Sequence, residues 1–308
     1  MEFCGIILNY ALLYGAVLLL GAISGYLSER AGIVNIGIDG MMCFGVVFFG
    51  IFSSPLIGIT NMGASGIIFA LLFTMIATMI TGAMHAFVCI NLKANHVISG
   101  TAINLIGVAF CTFVNNKFGN IFYDGSSKLL SGFDDFLYVG NSLYGSSIIV
   151  FIAALVLVAI IWVIVTKTRV GLRYRAVGEN PFAVDAQSIS VKKYQWVAVL
   201  LSSAVAGLAG GIFLFNITQS QGNTQGLGYL ALAIMIVGAW KIEWITITSI
   251  VFSLFMSLCM SNVLTNVGFA RELAYTLPYL ITFAALIFFA RWVRAPEYDG
   301  IPFDRNLR

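Results

Sequence analysis

The chain has 308 residues, of which 60% are hydrophobic and only 9% charged, and its formal net charge is +3. Soluble domains carry about a quarter charged residues, so this supply cannot build a water-facing surface and excludes a soluble enzyme or binding module. The apolar residues arrive in long uncharged runs sized to cross a hydrocarbon core about 30 Å thick. One membrane domain over 1–291 and a short tail, 292–308, are expected.

In chain order, apolar runs fall at 6–27, 41–57, 64–90, 97–114, 147–165, 194–216, 229–240, 245–263 and 273–290, and none holds Asp, Glu, Lys or Arg. Backbone groups in lipid must bond within their own segment, and the alternating pattern of a barrel strand is absent. The runs therefore predict an all-α, polytopic transmembrane helical bundle of about nine spans, with eight or ten also compatible. The first run follows neither a basic region nor a small-residue cleavage site, so it is expected as a retained span. Cys4, Cys43, Cys89, Cys111 and Cys259 are scattered through apolar sequence, as small buried hydrophobes are.

Cytoplasmic loops retain Lys and Arg. With the N-terminus outside and each run crossing once, the inside segments hold Arg30, Lys93, Lys167, Arg169, Arg173, Arg175, Lys192, Lys193, Lys241, Arg291, Arg294, Arg305 and Arg308. That is 13 of the 16 cations, leaving Lys117, Lys128 and Arg271 outside. The C-terminus is then cytoplasmic. The small net charge follows from this topology and implies no nucleic-acid partner.

Two runs are short. A helix over Tyr229–Trp240 rises only about 18 Å, and Met41–Ile57 is marginal. Each follows a glycine-rich polar approach, Asn35-Ile36-Gly37-Ile38-Asp39-Gly40 and Gln221-Gly222-Asn223-Thr224-Gln225-Gly226-Leu227-Gly228. Interrupted spans at corresponding places of two halves point to a solute path lined by irregular backbone and to internal pseudo-symmetry. Ordinary loops leading into tilted helices are the alternative.

The inside loop 166–193 is far longer than a turn requires. Asn180 before Pro181 has the chemistry of an N-cap and first helical residue, and Asp185 suits the positive end of the helix that follows. A short amphipathic helix over Pro181–Ser188 is predicted. It would expose Phe182, Ala183 and Val184, with Ile189 beyond, and so need a partner; its cations serve orientation alone or a docking surface.

The stretch Ser28-Glu29-Arg30-Ala31-Gly32-Ile33-Val34-Asn35-Ile36-Gly37-Ile38-Asp39-Gly40-Met41-Met42 resembles the signature after the first span in permeases of the branched-chain amino acid and simple sugar group of ABC transporters, nearest the nucleoside type. Gly171-Leu172-Arg173-Tyr174-Arg175-Ala176-Val177-Gly178-Glu179-Asn180-Pro181, continued by Ala206-Gly207-Leu208-Ala209-Gly210-Gly211, is similar to that family's coupling region and the span after it. Gly226-Leu227-Gly228-Tyr229 resembles the entry to its later short span. Two departures stand out: Asp39 where many relatives carry Glu, and Gly238-Ala239-Trp240-Lys241 where a Gly-Pro-rich turn is expected.

The resemblance implies a multi-pass protein of a bacterial cell membrane, forming half of an import pathway. Implied partners are a paralogous second permease, a cytoplasmic ABC ATPase and an extracellular solute-binding lipoprotein, besides membrane lipid and a small polar solute. Coupling to the ATPase would run through 172–191, with Arg173, Arg175, Glu179, Asn180, Pro181, Phe182, Val184 and Asp185 as the contact residues. A nucleoside is the expected solute, and a sugar or branched-chain amino acid the alternative.

No G-x-x-x-x-G-K-[ST] motif occurs, so ATP belongs on the partner and no cofactor is expected on this chain. Neither a nucleophile–base pair nor metal spacing is visible, which argues for a transport subunit and against an enzyme. His85 and His96 lack a second ligand at metal spacing. A secondary transporter would place ionisable groups inside its spans to carry protons or coordinate ions, and these spans hold none apart from boundary cases at Asp39 and Glu29. Uncharged polar groups suit a solute that must be bound and released, making Asn35, Asp39, Ser99, Thr101, Asn104, Asn216 and Gln221 path candidates. Interhelical hydrogen bonds are their ordinary role. Glu29 and Arg30 are either a boundary anchor or an inner gate. Gly21 with Gly25, and Gly207 with Gly211, allow close helix packing.

Overall fold

The computed structural model describes residues 2–54, 64–122, 145–216, 222–260, 271–289, 291 and 293–304. All regular structure among them is helical: α1 (Glu2–Glu29), α2 (Ile38–Phe52), α3 (Ala64–Ala86, continued by a π turn over Phe87–Asn91), α4 (His96–Phe122), α5 (Gly145–Lys167), α6 (Arg169–Glu179), α7 (Pro181–Ala186), α8 (Val191–Asn216), α9 (Leu227–Val237), α10 (Ile242–Met260) and α11 (Arg271–Phe289). Six of these are long and apolar enough to cross a membrane. Ile38–Phe52, Leu227–Val237 and Thr276–Phe289 are shorter apolar helices. Over the described residues each predicted apolar run thus coincides with a helix for most of its length, and the protein is a multi-pass membrane protein.

The helices divide into two series with the same neighbour relations. α1 packs along α8 and α10, while α8 packs along α1 and α3; α2 lies against α8, α3 and α4, while α9 lies against α1, α10 and α11. Exchanging α1 with α8, α2 with α9, α3 with α10 and α4 with α11 maps this pattern onto itself. The expected pseudo-symmetry is present at the level of helix neighbours, with one short helix in each series.

Small residues make these contacts close, as is usual where lipid supplies no hydrophobic drive between helices. A Cβ added to Gly21 would lie 2.8 Å from that of Ala231, and one on Gly25 2.9 Å from the Met235 sulfur, so this pair seats α9 on α1. On the other side a Cβ at Gly45 would stand 2.3 Å from the Gly207 carbonyl oxygen, and one at Gly210 2.0 Å from that of Met42. Leu18, Leu19, Leu20, Ile23, Met41, Met42, Leu230 and Ile234 are fully buried between these helices. Ile80, Leu105, Phe283 and Phe288 face outward, as a lipid-facing surface requires.

Helix ends differ from the sequence reading in three places. α2 starts at Ile38, inside its polar approach. α9 stops at Val237, and the next residues form a turn in which Ala239 (φ 52°) and Trp240 (φ 50°) are left-handed. A non-glycine residue there costs about 1 kcal/mol or more, and this is where the resemblance expects Gly-Pro. The 166–193 loop carries α6 as well as the predicted α7.

Candidate functional site

The site is built by the two short helices and the irregular chain that leads into each. After α1 the backbone turns at Gly32 (φ 86°) and re-enters the bundle. The Val34 carbonyl meets His85 Nε2 at 3.1 Å near the end of α3, and the Ile36 carbonyl accepts from Asn104 Nδ2 at 2.8 Å. Asn104 lies eight residues into α4, about 12 Å along its axis at 1.5 Å per residue, so α2 begins about a third of the way along α4. The second approach comes from the opposite end. The Gly222 carbonyl accepts from Thr112 at 2.9 Å, two turns further along α4, and the chain descends from there to start α9.

The two short helices meet N-terminus to N-terminus. Asp39, in the first turn of α2, accepts on Oδ1 from the Gly228 amide of α9 at 2.9 Å and from Thr224 Oγ1 at 2.7 Å. A Cβ on Gly228 would stand 2.3 Å from Asp39 Cα, so only glycine permits this approach. Helix N-termini present unpaired amides and partial positive charge, and one carboxylate answers both ends. Asn104 then ties the arrangement together: its Oδ1 accepts from the Gly40 amide at 2.7 Å, and its Nδ2 donates to the Ile36 carbonyl and to Tyr229 Oη at 2.9 Å. Asn35 closes the first approach, accepting from the Gly37 amide at 3.1 Å and donating to Ser202 Oγ at 3.2 Å. Ser202 in turn pairs with Ser24 at 3.3 Å.

Asn35, Asp39 and Asn104 are therefore brought together at one junction. Ser99 is taken by His85 at 2.9 Å, towards the basic end. Thr101 is exposed on α4 and bonds back to the Ile98 carbonyl. Asn216 ends α8 with its side chain outside the described residues, and Gln221 lies outside them altogether. Sequence reasoning missed Ser202, Thr224 and Tyr229. Thr224 and Tyr229 stand beside the glycines of the second approach, which is the one signal that marks them; Ser202, inside a long apolar run, has none. Among the described residues no group of three His, Cys, Asp or Glu is placed to hold a metal ion.

The ends bearing Arg30, Lys93, Glu179, Trp240 and Asp304 converge at the basic end. Glu29 accepts from Trp240 Nε1 at 2.9 Å, tying α1 to the turn after α9. The next residue, Arg30, pairs with Glu179 of α6 at 2.7 Å. Tyr174 donates to the Leu27 carbonyl at 2.6 Å, and burial pushes its hydroxyl well above the usual tyrosine range. Asn180 caps α7 by accepting from the Ala183 amide at 3.0 Å, as its place before Pro181 predicts.

The expected exposed apolar face of α7 is corrected here. Val184 is buried, and Phe182 packs edge-on to Tyr298 (ring centroids 5.6 Å apart) and against Phe303 (5.3 Å). Phe303 joins Val177, Val184 and Val191 in a small core. The described part of the tail, 293–304, is held at three points: the Tyr298 amide donates to the Gly178 carbonyl at 3.0 Å, the Gly300 amide to the Gly32 carbonyl at 3.2 Å, and Asp304 pairs with Lys93 at 2.6 Å. Burial pushes the Asp299 carboxyl up to about 7. The helix that needed an apolar partner has one within its own chain, and Arg173, Asn180 and Ala183 remain exposed.

A family model described as "Branched-chain amino acid transport system / permease component" matches residues 7–286. The chain is similar to the nucleoside ABC transporter permease protein NupC of Lactococcus lactis subsp. cremoris, with 32% identity covering 98% of this chain and 97% of the relative. It is similar to the guanosine ABC transporter permease protein NupQ of Bacillus subtilis at 30% identity, covering 100% and 99%. It also matches the Lactococcus nucleoside ABC transporter permease protein NupB at 28% identity, covering 92% and 80%. No solved structure matches.

Proposed function

The chain belongs to the permease-component family of branched-chain amino acid transport systems, and from that premise we propose that it is the membrane-spanning subunit of an ATP-driven nucleoside importer. The observation that carries this reading is the junction of α2 and α9. Two broken crossings meet inside the bundle and are held by amide, hydroxyl and carboxylate groups, the construction used where a polar solute must pass through apolar surroundings. The full-length relatives named for nucleosides and guanosine support the solute class.

One chain supplies half of the pathway. A paralogous second permease supplies the other half, a reading supported by the match to both NupB and NupC of one organism. An ATPase subunit docks at the basic end, on the exposed side of α6 and α7 that includes Arg173, Asn180 and Ala183, and a solute-binding lipoprotein delivers the solute to the other end. Arg175, Glu179, Pro181, Phe182, Val184 and Asp185 position that surface from behind. ATP shifts the populations of inward- and outward-open states only through contacts that differ between them. The path for this difference runs from α6 through Arg30 and Glu29 to Trp240, and from there into α9 and the junction. Glu29 and Arg30 thus act as the inner gate's linkage.

The test is co-expression with the cognate ATPase and second permease, reconstitution in proteoliposomes, and ATP-dependent uptake of labelled guanosine and uridine. Uptake competed by nucleosides and not by ribose or leucine is expected. Competition by leucine or ribose alone overturns the nucleoside assignment, and uptake without ATP overturns the importer class.

A further inference from the structure

The junction's polar atoms are bonded to one another, yet two aromatic rings beside it are left open. Tyr229, the third residue of α9, has 49% of its surface exposed although its hydroxyl is held by Asn104 at 2.9 Å. Tyr279 of α11 is 36% exposed, and its hydroxyl donates to the Gln225 carbonyl at 2.6 Å. One hydroxyl is thus anchored on α4 and the other on the segment that enters α9, which fixes both rings in place while leaving part of each exposed. Between them stands Gly226 (φ 77°). A Cβ there would find only Tyr279 Oη at 3.7 Å and Tyr229 Cδ2 at 3.9 Å within 4 Å, so the space over Gly226 is open and bordered by the Tyr279 hydroxyl and the edge of the Tyr229 ring. Tyrosines of membrane proteins gather at the two interfaces, where the hydroxyl reaches water. The Tyr229 hydroxyl is instead taken up by Asn104, eight residues inside α4.

We infer that Tyr229 and Tyr279 form the stacking surface for the planar base of the solute, and that this pair selects nucleosides over solutes without an aromatic ring. Every base has a π face, and stacking on a fixed aromatic side chain is strong while tolerating different bases. The Tyr229 ring lies beside the polar junction through its hydroxyl's bond to Asn104, so a base stacked on it stands next to that junction. This rests on the nucleoside reading above and specifies how that class is recognised.

The experiment uses the reconstituted complex and compares uridine with dihydrouridine, whose ribose is the same but whose base is neither planar nor aromatic. Wild-type protein is expected to take up uridine with a KM at least about fivefold below that for dihydrouridine. Tyr229→Leu should raise the uridine KM about fivefold or more and bring the two solutes close together, with Tyr279→Leu acting in the same direction. Tyr229→Trp should keep the preference. Co-purification of the ATPase and the second permease in wild-type stoichiometry establishes that each variant is assembled, and Tyr229→Phe, which drops only the hydroxyl, should keep the preference. Retained discrimination in assembled Tyr229→Leu overturns the stacking role while leaving the nucleoside reading intact. Failure of wild-type protein to transport either solute overturns both.

Discussion

Replacing Gly228 with alanine tests the helix junction most directly, because two effects of opposite sign compete. By intrinsic propensity alone, Gly→Ala in a helix stabilises by about 1 kcal/mol. The new Cβ, however, would lie 2.3 Å from Asp39 Cα and 2.5 Å from its amide nitrogen. Reaching an ordinary 3.4 Å contact means parting the two helix ends by 3.4 − 2.3 = 1.1 Å, which would stretch the 2.9 Å bond from the Gly228 amide to Asp39 towards 4 Å. Overpacking of this kind costs about 1–3 kcal/mol, and losing a hydrogen bond to a charged group about 1.5–3 kcal/mol. A net destabilisation of about 2–5 kcal/mol follows, lowering Tm by about 10 °C for a chain of this size. The control is Gly211→Ala, where the nearest atom is the flexible Leu71 Cδ2 at 3.1 Å and a change within about 1 kcal/mol is expected. Thermal unfolding in detergent, read by tryptophan fluorescence, compares the two. A Gly228→Ala protein as stable as Gly211→Ala and active in uptake refutes the junction.

Trp240→Phe removes the bond to Glu29 and should cost about 1.5–3 kcal/mol while raising the number of ATP molecules hydrolysed per solute, measured on one proteoliposome preparation. Phe303→Ala removes the ring that closes the small core over Val184; about 3–5 kcal/mol of tail docking should be lost, seen as faster hydrogen exchange at 293–304 and at α7 together. Tail docking should also depend on pH. Burial pushes the docked Asp299 carboxyl up to about 7, above the 3.8 of an ordinary aspartate, and its Oδ1 is buried without a hydrogen-bond partner. A carboxyl raised in the folded state contributes fully below the unfolded value and loses that contribution as pH rises through the folded one. Exchange at 293–304, corrected for intrinsic rate, should therefore be faster at about pH 8.5 than at about pH 5.5, and Asp299→Asn should remove the difference.

Hydropathy carries the helices because lipid imposes one requirement on every residue of a span, and nine uncharged runs record it. The Asn180–Pro181 cap was legible for a similar reason: capping is local, and its residues adjoin. The junction was only half legible. Asn35, Asp39 and Asn104 stand out as polar residues in apolar company, and the glycine-rich approaches mark where backbone comes close. That Asp39 meets Gly228, 189 residues away, is a tertiary fact that neither local sequence contains. The covering of α7 was not legible at all. Tyr298 and Phe303 are single aromatics in an irregular segment with no periodicity, so nothing in their spacing points to Phe182.

The opposed short helices have an electrical consequence. Two helix N-termini together present roughly one elementary positive charge, and Asp39 supplies one carboxylate between them. The junction thus has little net field of its own, and a neutral solute moving past it transfers no charge across the bilayer. Each elementary charge moved would cost or gain about 2.3 kcal/mol per 100 mV; a transporter arranged in this way avoids that term. On the proposed function its uptake rate should be the same in polarised and depolarised vesicles, with direction supplied by ATP.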